Sequence, residues 1–168
     1  MIFISGVHGV GKTYFCNVVK EKLGIESYSA SQLIAAQKKE EFSVDKRVSD
    51  IDENQLFLLE ALKKLRSLKE DFILDGHFCL ISEEGDISRI SLDIYVALNP
   101  DKIILLSEKP SVIAERRLQR DGVTVSEDMV DAFQQEEIKY AKEVAERLNI
   151  PLIISAGSSD IERIINKI

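Results

Sequence analysis

One glycine-rich stretch close to the first residue constrains the fold of this chain more than any other. The spacing G-x-x-x-x-G-K-[ST] is met by Gly6, Gly11, Lys12 and Thr13. A loop with this spacing binds phosphate when a strand precedes it and a helix follows it. Three apolar residues stand before the loop, and a helix-like segment that ends at Gly24 stands after it. The stretch therefore predicts a nucleotide-phosphate site at the end of a buried strand.

Each residue type in this loop suits the binding of phosphate. Gly6, Gly9 and Gly11 allow the backbone to curl so that its N–H groups point at an anion. Lys12 supplies a positive charge for the β and γ phosphates, and the Thr13 hydroxyl is a suitable Mg²⁺ ligand. The alternative is a plain glycine-rich turn with Lys12 on the surface, which the flanking strand and helix disfavour.

Length and composition fit a single domain over residues 1–168. The chain is 45% hydrophobic and 30% charged, and it has no apolar stretch long enough to span a membrane. With 22 Lys and Arg against 29 Asp and Glu, the formal charge of −7 argues against a broad nucleic-acid surface. Cys16 and Cys79 follow no disulfide or metal pattern, and we expect free thiols in a cytoplasmic protein.

Short apolar runs alternate with helical segments and indicate the fold class. We expect strands near residues 2–4, 25–28, 71–75, 102–107 and 152–155. The longest predicted helix follows Ser126, and its apolar face is Val130, Phe133, Ala141, Val144 and Leu148. This pattern predicts an α/β fold, a three-layer α/β/α sandwich around a five-stranded parallel sheet. Such sheets bind ligands beyond the carboxyl ends of their strands.

Asp75 ends the predicted central strand and His77 follows two residues later, and we expect both to face the phosphate-binding loop. A carboxylate at that point can hold Mg²⁺ through water or orient an acceptor group, so Asp75 is a candidate catalytic and metal-binding residue. Its alternative is a turn or capping role before Gly76. His77 is a candidate substrate-binding residue, and a purely structural histidine is the equal alternative.

Cations that could neutralise a transferring phosphoryl group occur at two places. Arg116 and Arg120 are four residues apart on a predicted helix that begins at Pro110, so they share one face and are candidate catalytic residues. The alternative is a solvated face with Glu115 and Asp121 as ion-pair partners. Arg47 lies in a polar stretch and could bind an acceptor phosphate, although a solvated loop is at least as consistent with its neighbours.

These residues together resemble the adenylate kinase-like nucleoside monophosphate kinases of the short-lid type. The resemblance rests on the loop Gly6–Thr13, on Asp75-Gly-His77 and on the segment Arg116–Arg120 before a long helix. It implies a P-loop NTPase fold with the strand order 2-3-1-4-5, with ATP and Mg²⁺ as cofactors. It also implies an acceptor-binding insertion at about 30–69 and a short lid at about 117–126.

The resemblance also assigns nucleotide contacts. The residues implied to bind ATP are Gly6, Gly9, Val10, Gly11, Lys12, Thr13 and Tyr14, together with Ala156 and Gly157 at the adenine edge. Arg116 would lie near the adenine or the phosphates and Arg120 on the phosphates, while Arg47 would be the acceptor cation. One departure concerns the acceptor: the family signature Asp-Gly-Phe-Pro-Arg is absent, because Phe78-Cys79 follows His77 here.

Three functions remain open on this evidence. The first is a kinase that moves the γ-phosphoryl group of ATP·Mg²⁺ to a small acceptor, most plausibly a nucleoside monophosphate. The second is an ATP-hydrolysing regulatory or assembly protein without an acceptor, which the missing signature arginine favours. A GTPase is weaker, since the sequence contains no Asn-Lys-x-Asp motif. The expected partners are a nucleotide and a small-molecule acceptor, and the sequence leaves the oligomeric state undetermined.

Overall fold

The fold is seen in a computed structural model that describes residues 1–41, 51–69, 71–82 and 86–168. Its strands are β1 (Ile2–Ser5), β2 (Ser27–Ser29), β3 (Ile73–Asp75), β4 (Cys79–Ile81), β5 (Ile87–Arg89), β6 (Lys102–Leu105) and β7 (Leu152–Ile154). Its helices are α1 (Lys12–Leu23), α2 (Ala30–Glu41), α3 (Ile51–Leu68), α4 (Leu92–Leu98), α5 (Pro110–Asp121), α6 (Glu127–Leu148) and α7 (Ile161–Ile165).

Five of these strands form one parallel sheet in the order β2-β3-β1-β6-β7. Numbered within that sheet alone, the order is 2-3-1-4-5, so the predicted fold class and topology are confirmed. All four residues of β1 are buried. Because neighbouring side chains of a strand point to opposite faces, the central strand must be covered on both sides.

The helix α6 anchors one side of the sheet through the apolar face that the sequence predicts. Its residues Val130, Phe133, Ala141 and Val144 are buried, and Leu148 packs against the core with part of its surface exposed. An apolar stripe at helical spacing is what a helix needs to pack against a sheet. One charged residue, Glu137, interrupts this stripe and is fully buried.

Some predicted boundaries are wrong by one to two residues. The strand expected at 25–28 is β2 at Ser27–Ser29, and that expected at 71–75 is β3 at Ile73–Asp75. The strand expected at 102–107 ends at Leu105. Short edge strands carry little periodic signal, and pairing with a neighbour sets their ends.

The antiparallel hairpin β4-β5 is an element that the sequence does not predict. It follows His77 directly and lies against α6. Arg89 on β5 pairs with Glu136 at 2.6 Å and with Glu143 at 2.6 Å, both on that helix. Tertiary contacts therefore support strands of three residues that would be marginal alone.

Candidate active site

The P-loop, residues 6–13, takes a strongly curled path that requires glycine. Gly6 has a φ of 142°, and a Cβ added there would lie 2.6 Å from the carbonyl oxygen of Leu106. Gly11 has a φ of 111° and is the N-cap residue of α1. Glycine reaches such angles without steric cost, so the loop can expose its backbone toward the space above the sheet.

The first turn of α1 provides donors for an anion. Gly11 has no side chain that could cap the helix, and the N–H groups of a first turn have no partner within the helix. Lys12, Thr13 and Tyr14 line the cavity at this end. The helix dipole adds partial positive charge at the same point, which makes this turn a suitable cradle for phosphate.

Three polar groups lie around the ammonium of Lys12 at the base of the cavity. Its Nζ atom donates to the carbonyl oxygen of Gly6 at 2.5 Å and lies 3.4 Å from Nε2 of His77. The Oδ1 atom of Asp75 is 3.8 Å away. Burial lowers the pKa of Lys12, and the charges of Asp75 and Glu137 oppose that shift. The ammonium group is therefore largely removed from water and lies among polar groups.

Asp75 stands at the carboxyl end of β3, beside Ile4 in the register of the sheet. Burial raises the pKa of this carboxyl group, and the nearby Lys12 opposes the increase. Thr13 and Asp75 both line the cavity. A hydroxyl oxygen and a carboxylate oxygen are the hard ligands that Mg²⁺ accepts, so the donor chemistry of the pair fits that ion.

His77 is in contact with a second histidine from the P-loop. The rings of His8 and His77 have centroids 4.6 Å apart. Burial, followed by the charges of His77 and Lys12, lowers the pKa of His8 to about 4, so this ring is neutral at pH 7. The backbone at His77 is held by α4, because the hydroxyl of Tyr95 on that helix donates to the His77 carbonyl oxygen at 2.8 Å.

The two arginines on α5 occupy different environments. Arg116 donates from Nη1 to the carbonyl oxygen of Val10 at 3.1 Å, and its Nη2 lies 3.5 Å from Oε2 of Glu108. Arg120 is exposed and forms a two-pronged ion pair with Asp121 at 2.7 and 2.8 Å. Both arginines line the same cavity as Lys12. Arg116 therefore contacts the P-loop, whereas Arg120 extends into solvent.

The loop after β7 supplies the far wall of the cavity. Gly157 has a φ of 103°, and a Cβ there would lie 3.1 Å from Oε1 of Glu108. The Ala156 N–H donates to Oδ2 of Asp160 at 3.0 Å, which fixes the turn. Gly157 lines the cavity, whereas Ala156 is exposed and lies outside the lining.

A single cavity of about 990 Å³ runs along the carboxyl ends of all five parallel strands. We name its two ends by their elements. The P-loop half is lined by His8–Tyr14, Arg116, Gln119, Arg120, Ser155, Gly157 and Ile161. The α3 half is lined by Ser29, Ser31, Ile34, Asn54, Gln55, Leu58, Leu80, Ile90, Ile94, Tyr95 and Leu98. Asp75, Gly76 and His77 lie between them, because β3 separates β1 from β2.

Arg47 lies outside the described residues, as does most of the polar stretch that the sequence assigns to the acceptor. The expected lid at 117–126 divides between the last turns of α5 and the connection to α6. Within the described ranges, none of the helices is both long and apolar enough to cross a membrane.

Sequence inspection missed two polar residues near the cavity. The Oδ1 atom of Asn54 on α3 is buried and has no hydrogen-bond partner among the described residues. Glu137 is buried and contacts the segment after His77. The available signal for Glu137 was its place on the apolar stripe of α6, where a charged residue must have partners.

Comparison with known proteins identifies relatives of this chain. The model of the AAA domain family matches residues 5–137. The chain is also 32% identical over 151 residues to an adenylate kinase from Pyrobaculum aerophilum, an alignment that covers 83% of this chain and 76% of that relative.

Two solved structures share the fold. A gluconokinase from Sinorhizobium meliloti 1021 superposes with a TM-score of 0.52 over 99% of this chain and 87% of its own. An uncharacterized protein from Eubacterium ventriosum ATCC 27560 superposes with a TM-score of 0.54, covering 99% and 93%. Both are 15% identical in sequence to this chain, so they bear on its architecture alone.

Proposed function

This chain belongs to the AAA domain family of P-loop proteins and is an adenylate kinase-like kinase, and from that premise we propose that it transfers the γ-phosphoryl group of ATP to a nucleoside monophosphate. The observation that carries the proposal is the continuous cavity. It joins the P-loop to a second, chemically different pocket across Asp75 and His77. A phosphoryl transfer needs two substrates that meet above such a strand end.

The P-loop half suits the triphosphate of ATP. The α1 dipole, the curled backbone from Gly6 to Tyr14 and the ammonium of Lys12 all favour negative charge. Thr13 and Asp75 would hold Mg²⁺, which when bound would neutralise charge on the phosphates. Gly157 and the exposed backbone at Ala156 would border the adenine.

Three cations would stabilise the transferring phosphoryl group in this proposal. Lys12 and Arg116 already contact the P-loop backbone, so they need little rearrangement. Arg120 would exchange its partner Asp121 for phosphate as the connection at about 117–126 closes. Because phosphoryl transfer asks for little covalent work from the protein, positioning and charge would supply most of the rate enhancement.

The α3 half suits the base and sugar of the acceptor. Ser29, Ser31, Asn54 and Gln55 provide polar groups on its walls, and apart from Tyr95 the remaining lining residues there are apolar. A nucleobase likewise has flat apolar faces and a polar edge. In this proposal the insertion at about 30–69 encloses the acceptor, His77 contacts it, and Arg47 meets its phosphate.

A second candidate function, ATP hydrolysis without an acceptor, rests on the charge of the α3 half. Among the described residues that line the α3 half, none carries a charged side chain. A monophosphate would normally meet cations there, so this observation favours an ATPase whose product is a conformational state. The family signature arginine that would bind the acceptor is also absent after His77.

One experiment separates the two functions. ATP and Mg²⁺ are incubated with the protein and a panel of nucleoside monophosphates, and the products are resolved by chromatography. A phosphorylated acceptor formed in step with ADP supports the kinase. ADP formed at the same rate with and without every acceptor supports the ATPase and contradicts the kinase.

A further inference from the structure

The buried carboxylate of Glu137 joins two segments of the proposed active site. Its Oε2 atom accepts a hydrogen bond from the Ser5 hydroxyl at 2.6 Å, and Ser5 directly precedes the P-loop. Its Oε1 atom accepts from the N–H groups of Phe78 and Cys79, each at 3.0 Å. A fully buried charge is costly unless it is paired or hydrogen-bonded, and these three donors supply that compensation.

A fourth donor position beside Glu137 belongs to His77. The Nδ1 atom of His77 lies 3.5 Å from Oε1 of Glu137. This nitrogen is buried and has no hydrogen-bond partner among the described residues. A buried ring nitrogen next to a carboxylate is best satisfied when it carries the proton, because an ionised carboxylate can only accept.

The other ring nitrogen of His77 faces Lys12. Nε2 lies 3.4 Å from Nζ of Lys12, and an ammonium group can only donate. A neutral imidazole has one donor and one acceptor nitrogen. The neighbours on both sides therefore require the same tautomer, with the proton on Nδ1 and the lone pair on Nε2.

We propose that Glu137 is a positioning residue for phosphoryl transfer, which holds Lys12 beside the P-loop by fixing His77 in this tautomer. The inference rests on the proposed function for its effect on rate, but the tautomer can be tested without it. The three acceptors of the Lys12 ammonium would then be the Gly6 carbonyl, Nε2 of His77 and the Asp75 carboxylate. Glu137 touches neither substrate in this scheme and acts through His77.

The tautomer is directly measurable, because the chain contains two histidines. Protein labelled with ¹⁵N-histidine is examined by NMR at about pH 9, where an ordinary histidine is neutral. A His8→Asn variant assigns the two rings. We expect the Nδ1–H form for His77. A dominant Nε2–H form in the wild-type protein would overturn the proposal.

Substitutions at Glu137 test the effect on rate. Glu137→Gln keeps an oxygen acceptor, and we expect it to retain the Nδ1–H form and a kcat within about fivefold of wild type. Glu137→Met has similar size but no acceptor, and we expect kcat to fall about ten- to a hundredfold, as for other residues that orient an active-site group. In both variants the KM for ATP should stay within about twofold, since Glu137 does not touch the nucleotide.

Two controls separate positioning from a general structural role. Val144→Ala, which opens a gap on the buried face of α6, should lower the thermal unfolding midpoint and leave kcat unchanged. In a His77→Leu background, Glu137→Met should change kcat by less than about twofold, because its effect passes through the missing ring. Effects that multiply in the double variant would overturn the proposal.

The outcomes remain decisive if Glu137→Met does not fold, because the wild-type and Glu137→Gln spectra are sufficient. They also distinguish failure of the proposed function. If wild-type protein phosphorylates none of the acceptors, the kinase proposal fails. The NMR result then still decides whether Glu137 fixes His77.

Discussion

The two halves of the cavity differ in how they are encoded. The P-loop half is built by the P-loop, by one face of α5 and by the loop after β7, and it holds the cations among the described lining residues. The α3 half gathers side chains from β2, α2, α3, the hairpin and α4, and its described lining is uncharged. The first half is suited to a highly charged ligand of fixed chemistry. The second can vary with the acceptor while leaving the phosphate chemistry intact.

The largest expected effect tests the P-loop half. Lys12→Ala removes the cation of the P-loop itself, and we expect kcat to fall about 10²- to 10³-fold, the usual cost of removing one preorganised charge contact. Steady-state assays of ADP formation measure this. Lys20→Ala, at an exposed position of the same helix, is the matched control and should keep full activity. Near-normal turnover of Lys12→Ala would remove the basis for the comparison.

Arg120→Ala should have the next largest effect. We expect kcat to fall about tenfold to a hundredfold, less than for Lys12, because Arg120 is exposed and must first leave Asp121. Single-turnover kinetics with saturating ATP measure the change. The control Arg147→Ala removes an exposed arginine from the end of α6 and should leave kcat unaltered. A loss confined to the KM for ATP would instead make Arg120 a binding residue.

Asn54→Ala tests the α3 half of the cavity in the same way as the lysine and arginine variants test the P-loop half. The Oδ1 atom of Asn54 is buried in the cavity wall and has no hydrogen-bond partner in the described part of the chain, and an acceptor with a suitable donor group would satisfy it. We expect the acceptor KM to rise about tenfold, equivalent to one hydrogen bond, while the KM for ATP stays constant. Asn17→Ala on the exposed side of α1 is the control. A change in the KM for ATP alone would mean that the two halves of the cavity do not bind the two substrates separately.

The smallest expected effect compares one thiol from each side of the site. Burial raises the pKa of Cys16 on α1 to about 11 and that of Cys79 on β4 to about 12. Since only the thiolate is nucleophilic, we expect iodoacetamide at about pH 8 to modify neither in the folded protein and both after unfolding. Peptide mass spectrometry measures the modification. Rapid modification of Cys79 alone would show that the hairpin opens more readily than the P-loop half.

The sequence predicted what is local. Gly6, Gly11, Lys12 and Thr13 stand within eight residues, and the strand and helix around them follow from short-range patterns. The position of Asp75 could also be predicted, because parallel strands end at one edge of a sheet. Both expectations depend on chain order and periodicity alone, and the sheet topology confirms them.

What the sequence did not predict depends on contacts between distant segments. The hairpin β4-β5 has strands of three residues and is held by the ion pairs of Arg89 with α6. Glu137 lies 59 residues from the N–H of Phe78 that it binds. No residue close in sequence identifies these hydrogen-bond partners. A charged residue on the apolar stripe of a helix indicates only that it must have partners somewhere in the fold. The catalytic and binding roles of all the site residues, Arg47 and His77 among them, stay predictions.

Glu137 has a consequence for attempts to engineer a more heat-resistant variant. Replacing this buried carboxylate alone with an apolar side chain would leave the Ser5 hydroxyl and the N–H groups of Phe78 and Cys79 without their acceptor, and unpaired buried donors lower stability. Here the same exchange would disconnect the strand before the P-loop from the segment after His77. Selection for thermal tolerance and selection for turnover should therefore both preserve the acid at this position.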